Sequence, residues 1–264
     1  MEQTDQLTDA GVRLEVDGAV ATVVLDRPDK RNAQTPSMWD ALAGIGESLD
    51  PAVRVVILRG EGPSFSAGLD RRMFTPEGIP GEGSLFDLTR LDDEALAAQI
   101  EEYQRAFTWW RRPDVVTVAA VQGHAVGAGF QLALACDLRV LAEDAQLAML
   151  EPSLGLVPDL GGTKPLVELV GYARALEICA TGRRVDAAEA AELGLATIVV
   201  PNADLAGAVA DLTDALAAPP HGAVTGTKRL LQGAADRGYD AQRAAERAEQ
   251  VARLRELAEG LTTS

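Results

Sequence analysis

Several of the residue types that most often carry chemistry are scarce in these 264 residues, which hold two cysteines, two histidines and 4% aromatic side chains. Cys136 and Cys179 cannot form a disulfide framework. Both sit in apolar runs, LALACDL and LEICA, where a buried free thiol and a reducing compartment are expected. With only His124 and His221, a histidine-rich metal centre or a histidine-dependent triad is poorly supplied; there is no G-x-S-x-G elbow, and no metal is expected. The longest apolar runs, Val115 to Val121 and Leu132 to Cys136, fall far short of the ~20 residues of a membrane span. The opening MEQTDQLTDAG is acidic and polar, whereas a secretory signal begins basic and turns apolar. Positive charge is also short: 24 Lys+Arg against 40 Asp+Glu leave a net −16 and a pI near 4.5, a field that repels phosphate backbones and excludes nucleic acid as the expected partner. The expectation is a cytoplasmic protein without a membrane partner.

What is present is apolar content of 47%, enough for a large core, in a pattern that alternates strand and helix signals. After a frayed tail, residues 1–10, the runs Val12 to Asp17 and Ala19 to Asp26 alternate around Asp17-Gly18, a hairpin signal. Pro36 after Thr35 opens a helix on which Met38, Leu42, Ile45 and Leu49 recur, and Asp50-Pro51 stops it. Val53 to Leu58 and Val115 to Val121 read as buried parallel strands. Residues 71–91 mix Gly and Pro with Phe74, Leu85 and Phe86, a long mobile loop that is either a binding lid or a surface insertion. A helix follows from Asp92 to Arg111. Strand pair, helix, strand, repeated with drift, indicates an α/β fold of stacked ββα turns over residues 11–200. From 201 to 264 the chain turns Ala-rich and helical, a C-terminal appendage.

Neither Gly123 to Gly129 nor Gly222 to Lys228 has the spacing of a dinucleotide or P-loop motif. Two turn motifs remain. In Phe65-Ser-Ala-Gly68-Leu69-Asp70, glycine permits a bend that leaves the Leu69 N–H unpaired. Gly127-Ala128-Gly129-Phe130-Gln131 opens a helix whose first N–H groups are unpaired at the positive end of its dipole. If they converge, these donors form an oxyanion hole, worth about 3 kcal/mol per donor to a developing enolate.

Arg27-Pro28 with Lys30-Arg-Asn-Ala33, the Phe65 to Asp70 turn, Gln122 to Asp137, Glu151-Pro152, Gly155 to Thr163 and Leu176 to Gly182 together resemble the enoyl-CoA hydratase/isomerase (crotonase) superfamily from Val12 to the C-terminal helices. The resemblance implies a crotonase spiral with a C-terminal helical trimerisation region, a homotrimer or dimer of trimers, a role in fatty acid metabolism, and an acyl-CoA ligand bent between the two turns. Coenzyme A enters as part of the substrate, with no other cofactor. Leu69 and Ala128 would supply the oxyanion amides, flanked by Ala67, Gly68, Asp70 and Gly127. The family's hydratases set two glutamates around a water, at the positions of Gln131 and Glu151 here. An amide cannot take the water's proton, so hydration is disfavoured and Gln131 is expected to line the pocket. Glu151 remains as a base for moving a double bond. Asp159, eight positions on, is where dienoyl-CoA isomerases of the family carry an aspartate; it also reads as a cap for the helix near Thr163. The leading expectation is an enoyl-CoA or dienoyl-CoA isomerase, with a weak hydratase and a non-catalytic acyl-CoA binder as alternatives. Cations for CoA are expected from Arg27, Lys30, Arg31, Arg71, Arg72, Lys228 and Arg229. Phe74 and Phe130 read equally as acyl-channel lining or as core.

Overall fold

A computed structural model describes residues 2–262. The tail expected to fray is instead a helix, α1 (Glu2–Asp9), because Leu7 packs on the core and Ala10 is buried behind it. β1 (Val12–Asp17) and β2 (Val20–Leu25) form the expected antiparallel hairpin. Thr35 caps α2 (Pro36–Ser48), its side chain accepting the Met38 N–H, and Met38, Leu42 and Ile45 turn into the core as their spacing requires.

The centre is a repeated turn of chain in which each pass lays one strand in each of two sheets. β3 (Val55–Gly60) pairs in parallel with β4 (Val116–Val121), and β4 with β6 (Leu138–Ala142), giving a sheet ordered β1-β2-β3-β4-β6-β9 once β9 (Ile198–Val200) is added. The second sheet holds β5 (His124–Val126), β7 (Gln146–Ala148) and β8 (Val185–Asp186), and Ser66 joins it through a parallel bridge to Ala125. Short passes such as β5 and β8 carry no alternation long enough to read from sequence. Because Ser66, β5 and β7 run parallel and in register, the segments that leave them exit at one edge. That edge is the site.

Between β3 and β4 lie α3 (Leu85–Leu88) and α4 (Asp93–Thr108), and residues 71–91 are more ordered than a mobile loop. Asp70 caps a 3-10 turn over Arg71–Phe74, Ser84 and Asp87 form a reciprocal capping box on α3, and Glu82 accepts the Ser37 N–H at the start of α2. α5 (Ala128–Ala135) is buried on every side, as an apolar helix of the central layer must be. α6 (Thr163–Thr181) bends at Gly171, and α7 (Ala187–Glu192) leads into β9.

The helical region after Pro201 is divided in role. α8 (Leu205–Ala217), the first helix of the C-terminal region, packs on the spiral: Val209 is buried with Leu205 and Leu212 against Val55, Val118 and Val140 of the large sheet. α9 (His221–Gln232) and α10 (Tyr239–Thr262) pack on each other. Lys228, expected to meet CoA, is buried. Its Nζ donates to Asp137 Oδ2 at 2.6 Å and to the Val115 carbonyl at 2.7 Å, and Thr117 also donates to Asp137. It therefore fastens α9 to the sheet. Lys228→Met strands the partly buried Asp137 carboxylate and is expected to cost about 3 kcal/mol by urea denaturation, whereas the double variant with Asp137→Asn loses less than the two single losses combined. Among the described residues no helix is long and apolar enough to cross a membrane.

Candidate active site

The Lys30-Arg-Asn-Ala33 segment is what shapes the first turn. Arg31 and Asn32 both have left-handed backbone, with φ of 50° and 53°, a conformation that costs about 1–3 kcal/mol unless the surroundings hold it. The Asn32 side chain holds it: Nδ2 donates to the Glu61 and Ser64 carbonyls at 2.9 and 2.8 Å, and Oδ1 accepts the Arg27 N–H at 2.8 Å. The segment then pairs with the turn, since Ala67 N–H donates to Arg31 O, Gln34 N–H to Gly68 O and Asp70 N–H to Gln34 O. In that parallel bridge the flanking groups bond to Gln34, so the Leu69 N–H points to the opposite side. Gly68, at φ 85°, makes the bend, and a Cβ there would lie 2.5 Å from the Val126 carbonyl and 3.6 Å from the Ala128 nitrogen. The two turn motifs therefore touch. Neither Leu69 N–H nor Ala128 N–H has a hydrogen-bond partner among the described residues, and both residues line one cavity of about 1290 Å³.

Glu151 and Asp159 line the same cavity. Glu151 follows β7 as Ala128 follows β5, which explains its place beside the amides. Its Oε1 accepts a hydrogen bond from Gln131 Nε2 at 2.7 Å, while Oε2 is buried without a partner. Burial pushes the Glu151 carboxyl above the usual range; the backbone N–H and Gln131 partly offset this, and Asp159 reinforces it. Burial also raises Asp159. Asp159 is not the helix cap, because Gly162 precedes α6 and no side chain caps it.

Gln131 lies behind Glu151 and is 1% exposed; contrary to expectation it does not line the cavity. Arg27 is likewise absent from the walls, because it donates to Asp70 Oδ2 at 3.0 Å and to the Ala33 carbonyl. The Arg72 guanidinium and backbone N–H, with Arg27 behind them, hold the Asp70 carboxyl far below its ordinary value despite burial. Asp70 thus spends its charge on two arginines. Ala67, Gly68 and Gly127 are in the walls, as are Lys30, Arg31 and Arg71, which no carboxylate pairs among the described residues. Phe74 lines the cavity, whereas Phe130 is core. Trp39, Leu96, Ile100 and Tyr103 also line it, unanticipated from the sequence. For the three on α4 the signal was the spacing of Leu96, Ile100 and Tyr103, four and then three positions apart, an apolar stripe that serves a cavity as readily as a core.

The family model for enoyl-CoA hydratase/isomerase matches residues 15–263. The chain belongs to the enoyl-CoA hydratase/isomerase family. A peroxisomal Delta(3,5)-Delta(2,4)-dienoyl-CoA isomerase of Arabidopsis thaliana is 32% identical to this family member over 223 residues, 83% of this chain and 80% of that protein. A hydroxycinnamoyl-CoA hydratase-lyase of Pseudomonas fluorescens is 31% identical over 197 residues, covering 74% and 68% respectively. A Thermobifida fusca YX chain solved in complex with acetoacetyl-CoA aligns over 96% of this chain and 98% of its own, with 51% identity and a TM-score of 0.93. The α/β spiral with a C-terminal helical region is thus the family's fold, and both isomerases and hydratases stand among its relatives.

Proposed function

We propose that this family member is an enoyl-CoA or dienoyl-CoA isomerase in which Glu151 is the base. With a 3-enoyl-CoA, Glu151 takes a proton from C2. The C–H electrons form a C1–C2 double bond and the carbonyl π pair moves onto the thioester oxygen, which as enolate accepts from Leu69 and Ala128 N–H; when the carbonyl re-forms, the C1–C2 pair becomes the C2–C3 double bond and the old C3–C4 pair takes a proton at C4. Return of a proton at C4, from Glu151 or from Asp159 as auxiliary acid, leaves the conjugated 2-enoyl-CoA with no net change in atoms. The observation that carries this reading is the buried, partnerless Oε2 of Glu151, a residue that lines the cavity with the two unpaired amides, with an amide rather than a glutamate at 131. The acetoacetyl-CoA bound by the Thermobifida fusca chain supports an acyl-CoA ligand. Hydration is the second reading, favoured by relatives such as the hydratase-lyase, but here position 131 holds an amide, which cannot take the water's proton as a glutamate there would. Assay of 2-enoyl, 3-enoyl and dienoyl-CoA by conjugated-thioester absorbance tests it. Turnover of the 3-enoyl or dienoyl substrate is expected; hydration of the 2-enoyl substrate alone contradicts it, and binding without turnover makes the chain a carrier.

Because the chain is acidic overall, CoA must be drawn by Lys30, Arg31 and Arg71 at the cavity. Raising salt from about 0.01 to about 1 M shortens the screening length from about 30 to about 3 Å, so CoA affinity by titration calorimetry is expected to fall, and Arg71→Glu to weaken it about tenfold. Salt-independent binding contradicts this assignment. The same reading carries assembly into homotrimers or dimers of trimers, supported by Val251, Leu254 and Leu257 exposed along one face of α10.

A further inference from the structure

Gln131 bonds Glu151 and the backbone of the loop that carries Asp159, although it is not among the residues that line the cavity. Two backbone donors, Leu160 N–H at 3.0 Å and Gly162 N–H at 3.3 Å, converge on its Oε1. Only an oxygen can accept both, so the amide orientation is determined: Nε2 must face Glu151, and it donates to Oε1 at 2.7 Å. Turning the amide over would set donor against donor at two contacts and acceptor against acceptor at the third. The approach is close enough to require glycine at 162, where a Cβ would lie 2.8 Å from Gln131 Cγ. The bonded residues follow directly on Asp159, whose own carbonyl accepts from Gln104 Nε2 on α4. The titratable groups that act on or feel Glu151 are Asp159 on the following loop and Cys179 on α6, and no cation pairs with it among the described residues.

We infer that Gln131 is a positioning residue, a clamp that holds Glu151 by one carboxylate oxygen and the Asp159 loop by its backbone, so that Glu151 Oε2 alone carries the transferred proton. The inference rests on Glu151 being the base of the isomerase reading. It accounts for an amide at this position without invoking water: a carboxylate here could accept from the loop but, once ionised, could not donate to Glu151. Since the Gln131 N–H stabilises the ionised form of Glu151, its removal moves the base's titration upward.

The test uses the full chain, 3-hexenoyl-CoA and two variants. Gln131→Leu removes both ends of the clamp; Gln131→Glu keeps the loop's acceptor and loses the donor to Glu151, which guards against a folding defect in the first. Loss of about 10²-fold in kcat is expected for both, with KM nearly unchanged and the acid limb of the rate profile moved to higher pH. A kcat within about twofold of wild type and an unmoved limb in Gln131→Glu would overturn the inference. The carboxyl titration of Glu151 by ¹³C NMR, assigned by its loss in Glu151→Gln, reads the clamp without turnover. It should lie higher in both variants than in wild type, and an identical value overturns the clamp. Wild type that fails to turn over the substrate defeats the isomerase reading, while the titration still decides on Gln131.

Discussion

Glu151→Gln is expected to lower isomerisation by about 10²–10⁴-fold while CoA binding persists. The glutamine side chain fills the same space beside Gln131 and the two amides but cannot take a proton from carbon. If CoA is held by the cations of the cavity wall, as proposed, calorimetric binding should survive and kcat should fall. The same substitution is expected to stabilise the fold near neutral pH. The folded pKa of Glu151 lies above its unfolded value of about 4.5, so its contribution to stability is present below that pH and is lost as pH rises through the folded value. Glutamine has no such loss, so the thermal midpoint of the variant should exceed that of wild type at pH 7 and converge with it in acid. Retained turnover, or a variant less stable at pH 7, contradicts the assignment. The activity profile follows the same sign: the base works only when ionised, so the acid limb of kcat/KM should lie above 4.5.

Gly68→Ala is the second large effect. At φ 85° an alanine is strained by about 1–3 kcal/mol, and its Cβ would meet the Val126 carbonyl at 2.5 Å. Relief can come only by parting the Leu69 turn from the start of α5, which separates the two amides aimed at the enolate. A loss of about 10²–10³ in kcat is expected, as for removal of one oxyanion donor. Steady-state kinetics together with a CoA titration check this. A variant that folds, binds CoA and keeps wild-type kcat would show that these amides do not hold the transition state.

The elements legible in the sequence were those whose cause is local or repeated. Thr35-Pro36 with the spacing of Met38, Leu42 and Ile45 announces α2, and Asp17-Gly18 announces the hairpin. The two turn motifs were also legible, because a glycine bend and a helix start leave N–H groups free whatever surrounds them, whereas Glu151 stood out only through the family resemblance. What was not legible depends on partners brought from far along the chain. Nothing near Lys228 foretells Asp137, 91 positions away, or the burial that makes the pair structural. Arg27 sits next to a motif rich in cations, yet Asp70 claims it across 43 positions. Gln131 was expected in the cavity because its helix is apolar all round. That same apolarity buries the helix, and the amide turns inward to the donors of Leu160 and Gly162. In α1, Leu7 in a polar octapeptide gives no period, although it docks the helix.

The central claim is that Glu151, through Oε2, takes the proton from C2 to give an enolate held by Leu69 and Ala128, so that a double bond moves without addition of water. The most direct measurement is the mass of the CoA product formed from 3-hexenoyl-CoA, followed with its conjugated-thioester absorbance. A product of unchanged mass with a new conjugated band, absent in Glu151→Gln, is the predicted result. A product heavier by one water with no isomer preceding it, or an isomer formed as fast by Glu151→Gln, would contradict the claim.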